Sequence, residues 1–201
     1  MTVSFGRDAL AEEVLEAVFA YIEPQKKQFR WGSNVLAWSP ALIVGNGGAV
    51  LTHVLPEGLT DSIYINLLDR GVLARIPKNK IAMFYIWLPG SNITWHADYI
   101  DKQSMTIYLN KEWNPDHGGY FCWKDWGDDL PKHSYDSPPK ECRMKMPEFN
   151  HYVHMTEAEW HTTTITAAAS PPRLSLQMFF DYGSDTPLMA KDGAVSALAT
   201  V

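Results

Sequence analysis

Apolar residues recur every four positions near the start of the chain, which is the spacing of one face of an α-helix. Glutamates occupy positions between them, and Pro24 follows the last one. The apolar stripe consists of Leu10, Val14, Val18 and Ile22. This periodicity, followed by a residue that cannot continue a helix, predicts an amphipathic helix over residues 8–22.

The next part of the chain has a less regular pattern. Turn-forming Gly, Pro, Asn and Ser residues are frequent between residues 25 and 60, and they predict irregular structure there. A second, short helix is predicted over residues 61–69. Thr60 or Asp61 would open this helix, and it would end near Gly71.

From residue 81 onward, short runs of β-branched and aromatic residues follow one another, and most are bounded by Gly, Pro, Asn or Asp. Such runs predict strands. They cover residues 81–88, 93–99, 104–110, 119–123, 142–146, 150–155, 160–167 and 173–180. About eight short strands after a helical segment favour a mainly β fold, a double-stranded β-helix (jelly roll) with N-terminal supporting α-helices.

The domain organisation follows from this reading. We expect residues 1–182 to form a single domain, with a helical preface at 1–80 and a jelly-roll core at 81–182. Residues 183–201 have no strong pattern and are expected to form a C-terminal tail. The polar stretch 124–141 lacks periodicity, and the sequence leaves open whether it is a substrate lid or a crossover between strands.

The last predicted strand has one polar and one apolar face. Arg173, Ser175 and Gln177 alternate with leucines and a methionine, so the three polar side chains share one side of the strand. If that side faces the interior, the interior contains polar groups. Such an interior is unusual unless it binds a polar ligand.

Charge and composition exclude several classes of function. The 201 residues carry a formal net charge of −6, which argues against nucleic-acid binding because neutralising phosphates requires clustered Lys and Arg. The longest apolar run, 81–88, is too short to span a membrane, and the acidic N-terminal segment does not resemble a signal peptide. We therefore expect a cytoplasmic protein without membrane or nucleic-acid partners. Cys122 and Cys142 could form at most one disulfide.

A candidate metal site begins at His96, which is followed two residues later by Asp98. On a strand, residues two apart point to the same side, so this imidazole and carboxylate can reach one ion. A third ligand from a distant strand would complete the two-histidine, one-carboxylate set that is typical of non-haem Fe(II) oxygenases. The short pattern alone is weak, because a His close to an Asp on a surface strand is common.

The segments around this pattern resemble the Fe(II)/2-oxoglutarate-dependent dioxygenase superfamily, and its prolyl-hydroxylase-like branch in particular. Four pieces occur in the family's order and cover roughly residues 81–182. They are His96 with Asp98, the string from Ser104 through Tyr-Leu-Asn and Trp113 to Gly118-Gly119, then Pro147 to Asn150 with Trp160-His161, and Arg173-Leu174-Ser175. An ordered set of this kind is more specific than any one piece.

The resemblance implies roles for six residues. His96, Asp98 and His161 would bind Fe(II), with His154 as the rival third ligand. The far carboxylate of the co-substrate 2-oxoglutarate would be held by Arg173, Ser175 and Tyr108. The family's reaction consumes O2, and the resemblance allows ascorbate a supporting role. Asn110, Trp113, Gly118 and Gly119 would then be structural. We expect His117, His133 and His151 to be solvated or structural. The sequence does not assign a role to His53.

The expected activity is hydroxylation of an unactivated C–H bond with release of succinate and CO2, and the branch suggests a prolyl residue in a peptide or protein as substrate. A free amino acid or another small molecule is the alternative substrate, because fold does not fix substrate. Two other classes stay open: a cupin-like metalloenzyme that does not use 2-oxoglutarate, and a catalytically silent binding module. The sequence does not specify the oligomeric state.

Overall fold

The computed structural model describes residues 3–31, 50–98, 102–124, 142–157 and 159–183. In these residues eleven strands and two α-helices occur. The strands are β1 Val3–Gly6, β2 Arg30–Trp31, β3 Val50–Val54, β4 Asn79–Trp87, β5 Ile93–His96, β6 Gln103–Tyr108, β7 Phe121–Trp123, β8 Arg143–Lys145, β9 Tyr152–Met155, β10 His161–Thr163 and β11 Arg173–Asp181. The helices are α1 Glu12–Gln25 and α2 Glu57–Asp69, with short 3-10 turns at Lys26–Gln28 and Pro115–His117.

The strands form two antiparallel sheets. The major sheet has seven strands in the order β1-β9-β6-β11-β4-β3-β2, and the minor sheet has four in the order β5-β10-β7-β8. β11 lies in the middle of the major sheet and pairs along its length with β4 and along most of it with β6. The predicted mainly β fold, a double-stranded β-helix with supporting helices, is confirmed.

Both helices pack on one face of the major sheet. Their apolar stripes bury Leu15, Val18 and Ile22 from α1 and Ile63, Tyr64 and Leu67 from α2. These helix residues belong to the same core cluster as Leu176 and Met178, whose side chains lie on the helix-covered face of β11. Because side chains alternate along a strand, Arg173, Ser175 and Gln177 point to the opposite face, toward the minor sheet. The predicted polar interior is therefore present.

The helix boundaries differ from the prediction. α1 begins at Glu12 instead of residue 8, and Pro24 lies inside its last turn instead of ending it. α2 begins four residues before Asp61, directly after Pro56. Pro56 is the residue before the helix and has an extended backbone, which its fixed φ allows.

The prediction of irregular structure over residues 25–60 is wrong at 30–31 and 50–54, where β2 and β3 pair with each other and β3 pairs with β4. β1 also lay outside the predicted strands, and it pairs with β9. These three strands owe their conformation to distant partners, which a local pattern does not reveal. Each of the eight predicted runs contains a strand.

Several predictions fall outside the described residues. These include most of the polar stretch, residues 125–141, and the tail from residue 184, and the role of both stays a prediction. The division into a domain at 1–182 and a tail at 183–201 likewise stays a prediction. Both cysteine thiols are free, Cys122 buried and Cys142 exposed. Within the described ranges, neither helix is both long and apolar enough to cross a bilayer.

Candidate metal centre and its cavity

The structure brings the three predicted metal ligands together. β5 and β10 are neighbours in the minor sheet, and His96 lies directly opposite His161 in their pairing. β5 ends at His96, so Asp98 follows the strand instead of belonging to it. The Nε2 atoms of His96 and His161 lie 3.7 Å and 3.8 Å from the Asp98 carboxylate oxygens. One ligand atom from each residue lies within 4.8 Å of the others.

Backbone carbonyls orient both imidazole rings. The Nδ1 atom of His96 lies 2.7 Å from the Thr94 carbonyl, and that of His161 lies 2.8 Å from the Glu159 carbonyl. A carbonyl can only accept, so each Nδ1 carries the proton and each Nε2 presents a lone pair to the centre. Burial, reinforced by the neighbouring His161 ring, lowers the pKa of His96 to about 4, which keeps this imidazole neutral at physiological pH.

The donor set fits a divalent transition metal. The Oδ2 atom of Asp98 is buried, and no residue in the described ranges offers it a hydrogen bond. An unsatisfied buried carboxylate oxygen is costly, and a cation between the three side chains would remove that cost. Two imidazole nitrogens and one carboxylate on one side of an ion leave further positions open, the arrangement typical of non-haem Fe(II) sites.

The same cavity contains a buried arginine. Arg173 is 1% exposed, and its guanidinium carbon lies 4.8 Å from the Trp87 ring centroid and 5.1 Å from that of Tyr108. Its Nε and Nη1 atoms are buried without a hydrogen-bond partner in the part of the chain that the structure describes. Burial lowers the pKa of Arg173, although an arginine remains charged. A buried guanidinium with unused donors is a site for an anion.

Ser175 and Tyr108 flank this arginine. They lie opposite each other across β11 and β6, and both are 1% exposed. The Trp87 indole N–H donates to the Ser175 hydroxyl oxygen at 3.2 Å, which leaves the serine O–H free to donate elsewhere. The Tyr108 hydroxyl is buried beside the Arg173 guanidinium, which partly opposes the rise in its pKa that burial causes, and it makes no hydrogen bond of ordinary geometry with a described residue. Neither side chain is among those that line the cavity directly, whereas Arg173 is.

The segment between Tyr108 and Arg173 supports the arginine from outside the cavity. The Asn110 side chain accepts a hydrogen bond from the Leu174 amide at 2.6 Å and donates to the Pro172 carbonyl at 3.0 Å, so it holds the start of β11. At Gly119 φ is +67°, and a Cβ atom there would lie 3.0 Å from the Arg173 side chain. The glycine therefore leaves room for the arginine.

The other glycine of the turn, Gly118, is required for a different reason. Gly118 also has φ of +67°, and a Cβ atom on it would approach the Ile165 carbonyl oxygen to 2.3 Å. The Trp113 indole N–H donates to the Gly118 carbonyl at 3.0 Å and fixes the turn. The structural interpretation of Asn110, Trp113 and the glycine pair agrees with these contacts.

Comparison with known proteins adds to this geometry. No protein-family model and no curated protein matches the sequence. Among solved structures, a Pseudomonas putida prolyl-4-hydroxylase superposes with a TM-score of 0.63 at 15% identity over 91% of this chain and 94% of its own. A Trichoplax adhaerens prolyl hydroxylase, in complex with a hypoxia inducible factor peptide fragment, gives 0.65 at 13% identity over 90% and 83%. The chain has a prolyl-hydroxylase-like fold.

A further solved structure extends the comparison to a different kind of ligand. HygX from Streptomyces hygroscopicus, crystallised with nickel, 2-oxoglutarate and hygromycin B, superposes with a TM-score of 0.60 at 11% identity. The superposition covers 90% of this chain and 83% of HygX. Identities this low show a shared fold alone.

The fold places His161, and not His154, where it can be the third metal ligand. His154 lies on β9 in the major sheet, and its Nε2–H donates to the Gln103 amide oxygen at 2.9 Å. Its ring contacts Phe180 on the helix-covered face. It therefore cannot reach the cavity. His151 pairs with Glu148, position 117 caps a 3-10 turn, and His53 contacts the Tyr21 hydroxyl; position 133 lies outside the described residues.

Other cavity residues in this fold were missed by sequence reasoning. The cavity is partly open to solvent, and Trp87, Tyr85, Phe121 and Phe179 form aromatic parts of its wall. Trp87 pairs directly with Arg173 across β4 and β11, which no local pattern shows. Ile93, which precedes the metal-ligand segment, contributes an apolar side chain to the cavity.

Proposed function

We propose that this chain is an Fe(II)- and 2-oxoglutarate-dependent hydroxylase. One observation carries the proposal: a His-Asp-His cluster and a buried arginine with unused donors line the same cavity. The first fits a metal with open positions, and the second fits a carboxylate some distance away. The neighbouring folds, prolyl hydroxylases and a protein crystallised with nickel and 2-oxoglutarate, support this assignment.

In this proposal His96, Asp98 and His161 are the metal ligands. The carbonyls of Thr94 and Glu159 hold the two imidazole rings with Nε2 toward the ion. The rings are therefore already oriented before the metal binds. Bound Fe(II) would supply the activation of O2, and 2-oxoglutarate would supply the electrons by conversion to succinate and CO2. The chain itself provides ligand geometry, orientation of the co-substrate and a partly enclosed cavity.

Arg173 would bind the far carboxylate of 2-oxoglutarate. Its Nε and Nη1 atoms have unused N–H donors, and a guanidinium forms strong charged hydrogen bonds with a carboxylate. The Ser175 and Tyr108 hydroxyls flank the guanidinium and would add one donor each. Burying an unpaired arginine costs several kcal/mol, and an anionic ligand offsets that cost. This requirement favours a 2-oxoglutarate enzyme over a cupin-like metalloenzyme that does not use it.

For the substrate we propose a prolyl residue in a peptide or protein. The aromatic side chains of Tyr85, Trp87, Phe121 and Phe179 give the cavity apolar surfaces suited to a saturated ring. Two of the similar folds are prolyl hydroxylases, one of them in complex with a peptide. The complex of HygX with hygromycin B makes a small-molecule substrate the alternative.

Succinate formation tests the reaction class. The protein with Fe(II) and 2-oxoglutarate should release succinate, and His96→Ala should abolish the release while His154→Ala, a histidine outside the cavity, should not. Metal binding without any affinity for 2-oxoglutarate would instead indicate the cupin-like class. Neither metal binding nor affinity for 2-oxoglutarate would indicate the silent module.

A substrate panel then tests the prolyl proposal. Proline-containing peptides, free amino acids and small molecules would be scored by mass spectrometry for the gain of one oxygen atom with matched succinate release. Oxygen gain on prolyl peptides alone supports the proposal. Gain on a free amino acid or small molecule, or succinate release without any oxidised product, contradicts the prolyl assignment and leaves the reaction class intact.

A further inference from the structure

A second polar feature lines the cavity, a hydrogen-bonded pair that the roles above do not use. Thr106 on β6 and Gln177 on β11 lie directly opposite each other, and both side chains face the cavity. The Thr106 hydroxyl donates to the amide oxygen of Gln177 at 2.6 Å. With its oxygen engaged in this way, the Gln177 amide has its two N–H donors left for the cavity.

This pair lies across the cavity from the metal ligands. His161 is paired with Trp123 in the minor sheet, and the Trp123 ring contacts the Phe5 ring of the major sheet at 5.0 Å between centroids. Phe5 begins a row of paired residues that crosses the major sheet. The row consists of Phe5, Val153, Thr106 and Gln177. Gln177 lies in this row, and it lines the same cavity as the two histidine ligands.

The two donor groups on β11 are separated along the strand. Arg173 and Gln177 are four residues apart, which corresponds to roughly 13 Å between their Cα atoms at the rise of an extended strand. A dicarboxylate that chelates the metal and reaches Arg173 with its far end would have its metal-bound end on the Gln177 side. The metal-bound end of a 2-oxo acid includes a carboxylate, which accepts hydrogen bonds from an amide N–H.

We propose that Gln177 donates a hydrogen bond to the metal-bound carboxylate of 2-oxoglutarate, and that Thr106 positions the Gln177 amide for this contact. The assignment rests on the proposed function. It gives the two ends of the co-substrate separate recognition groups, Arg173 for the far carboxylate and Gln177 for the near one. Gln177 is then a binding residue, and Thr106 acts through it.

Calorimetry on Mn(II)-loaded protein tests this division without requiring turnover. Two ligands are titrated: 2-oxoglutarate, and pyruvate, which has the 2-oxo acid end and lacks the far carboxylate. Gln177→Met should weaken both ligands by about tenfold or more, because each loses one hydrogen bond to a charged group. Thr106→Val should weaken both by a smaller factor, and Arg173→Met should weaken 2-oxoglutarate alone.

The matched control is Gln103→Met. Gln103 is a glutamine on β6, and its side chain contacts His154 on the helix-covered face, so its replacement should leave both affinities unchanged. Unchanged affinities in Gln177→Met, or a loss confined to 2-oxoglutarate, would overturn the inference while the proposed function stands. If the wild-type protein binds Mn(II) but neither 2-oxo acid, the proposed function itself fails.

Discussion

Replacing Arg173 with methionine separates a binding role from a structural one. The side chain is fully buried, and two of its nitrogen atoms have no partner among the described residues. Each hydrogen bond between a charged donor and a ligand contributes about 1.5–3 kcal/mol. Two such bonds to the far carboxylate of 2-oxoglutarate amount to about 3–6 kcal/mol. We therefore expect Arg173→Met to weaken 2-oxoglutarate binding by at least about a hundredfold.

The same replacement should cost little stability in the absence of ligand. The buried charge carries a desolvation penalty of several kcal/mol, and methionine removes it. The contacts with the Trp87 and Tyr108 rings oppose this gain by about 0.5–2 kcal/mol each. The free energy of unfolding should consequently fall by no more than about 1 kcal/mol or rise, because these terms largely cancel.

Two measurements on the same variant decide the case. Chemical denaturation gives the free energy of unfolding, and calorimetry on Mn(II)-loaded protein gives the affinity for 2-oxoglutarate. Arg75→Met is the matched control, because Arg75 also lies over an aromatic ring, that of Tyr182 at 4.4 Å, but outside the cavity. A variant that loses several kcal/mol of stability and keeps its affinity within threefold would refute the argument, since Arg173 would then be structural.

Three further predictions follow from the site and its surroundings. Gly119→Ala should cost about 1–3 kcal/mol of stability and also weaken 2-oxoglutarate binding, because φ is +67° there and the added Cβ would press on the Arg173 side chain. Gly58→Ala, where a Cβ meets open space, is the control. Unchanged 2-oxoglutarate binding in Gly119→Ala would contradict the prediction. Tyr108→Phe removes a buried hydroxyl beside the Arg173 guanidinium, so 2-oxoglutarate affinity should drop about tenfold, and retained affinity would exclude Tyr108 from the site. Burial lowers the pKa of His154 to about 4 from the usual 6.5, so the unfolded chain binds the proton more readily and stability should fall by on the order of 2–3 kcal/mol as the pH drops from 6.5 to 4. His154→Gln should flatten this dependence in metal-free protein followed by urea denaturation, and a slope equal to that of the wild type would show that His154 does not contribute.

Features of the site that depend on residues close together in the sequence could be predicted, whereas features that depend on pairing between distant segments were harder to predict. His96 and Asp98 are two residues apart, and this short spacing keeps them close even though β5 ends at His96 and Asp98 follows the strand. The third ligand, His161, was chosen over His154 through the resemblance to a family, and the pairing of β5 with β10 places it opposite His96. The polar face of β11 was likewise visible as an alternation of residue types.

The parts that were missed depend on pairing between distant segments. β3 lies in a stretch of turn-forming residues, and it becomes a strand because β4 provides its hydrogen-bonding partners. Trp87 was part of an apolar run, and its place against Arg173 follows from the register of β4 with β11. The contact between Thr106 and Gln177 depends in the same way on the register of β6 with β11. Registers of this kind are set by tertiary packing and leave no local signal.

The central claim is that His96, Asp98 and His161 bind one metal ion. Titration of Fe(II) under anaerobic conditions, or of Mn(II) as a stable substitute, measures the stoichiometry and affinity of each variant directly. The account predicts one ion per chain in the wild-type protein and in His154→Ala, and loss of most of the affinity in His96→Ala, Asp98→Ala and His161→Ala. Unchanged binding in His161→Ala, or its loss in a correctly folded His154→Ala, would contradict the claim.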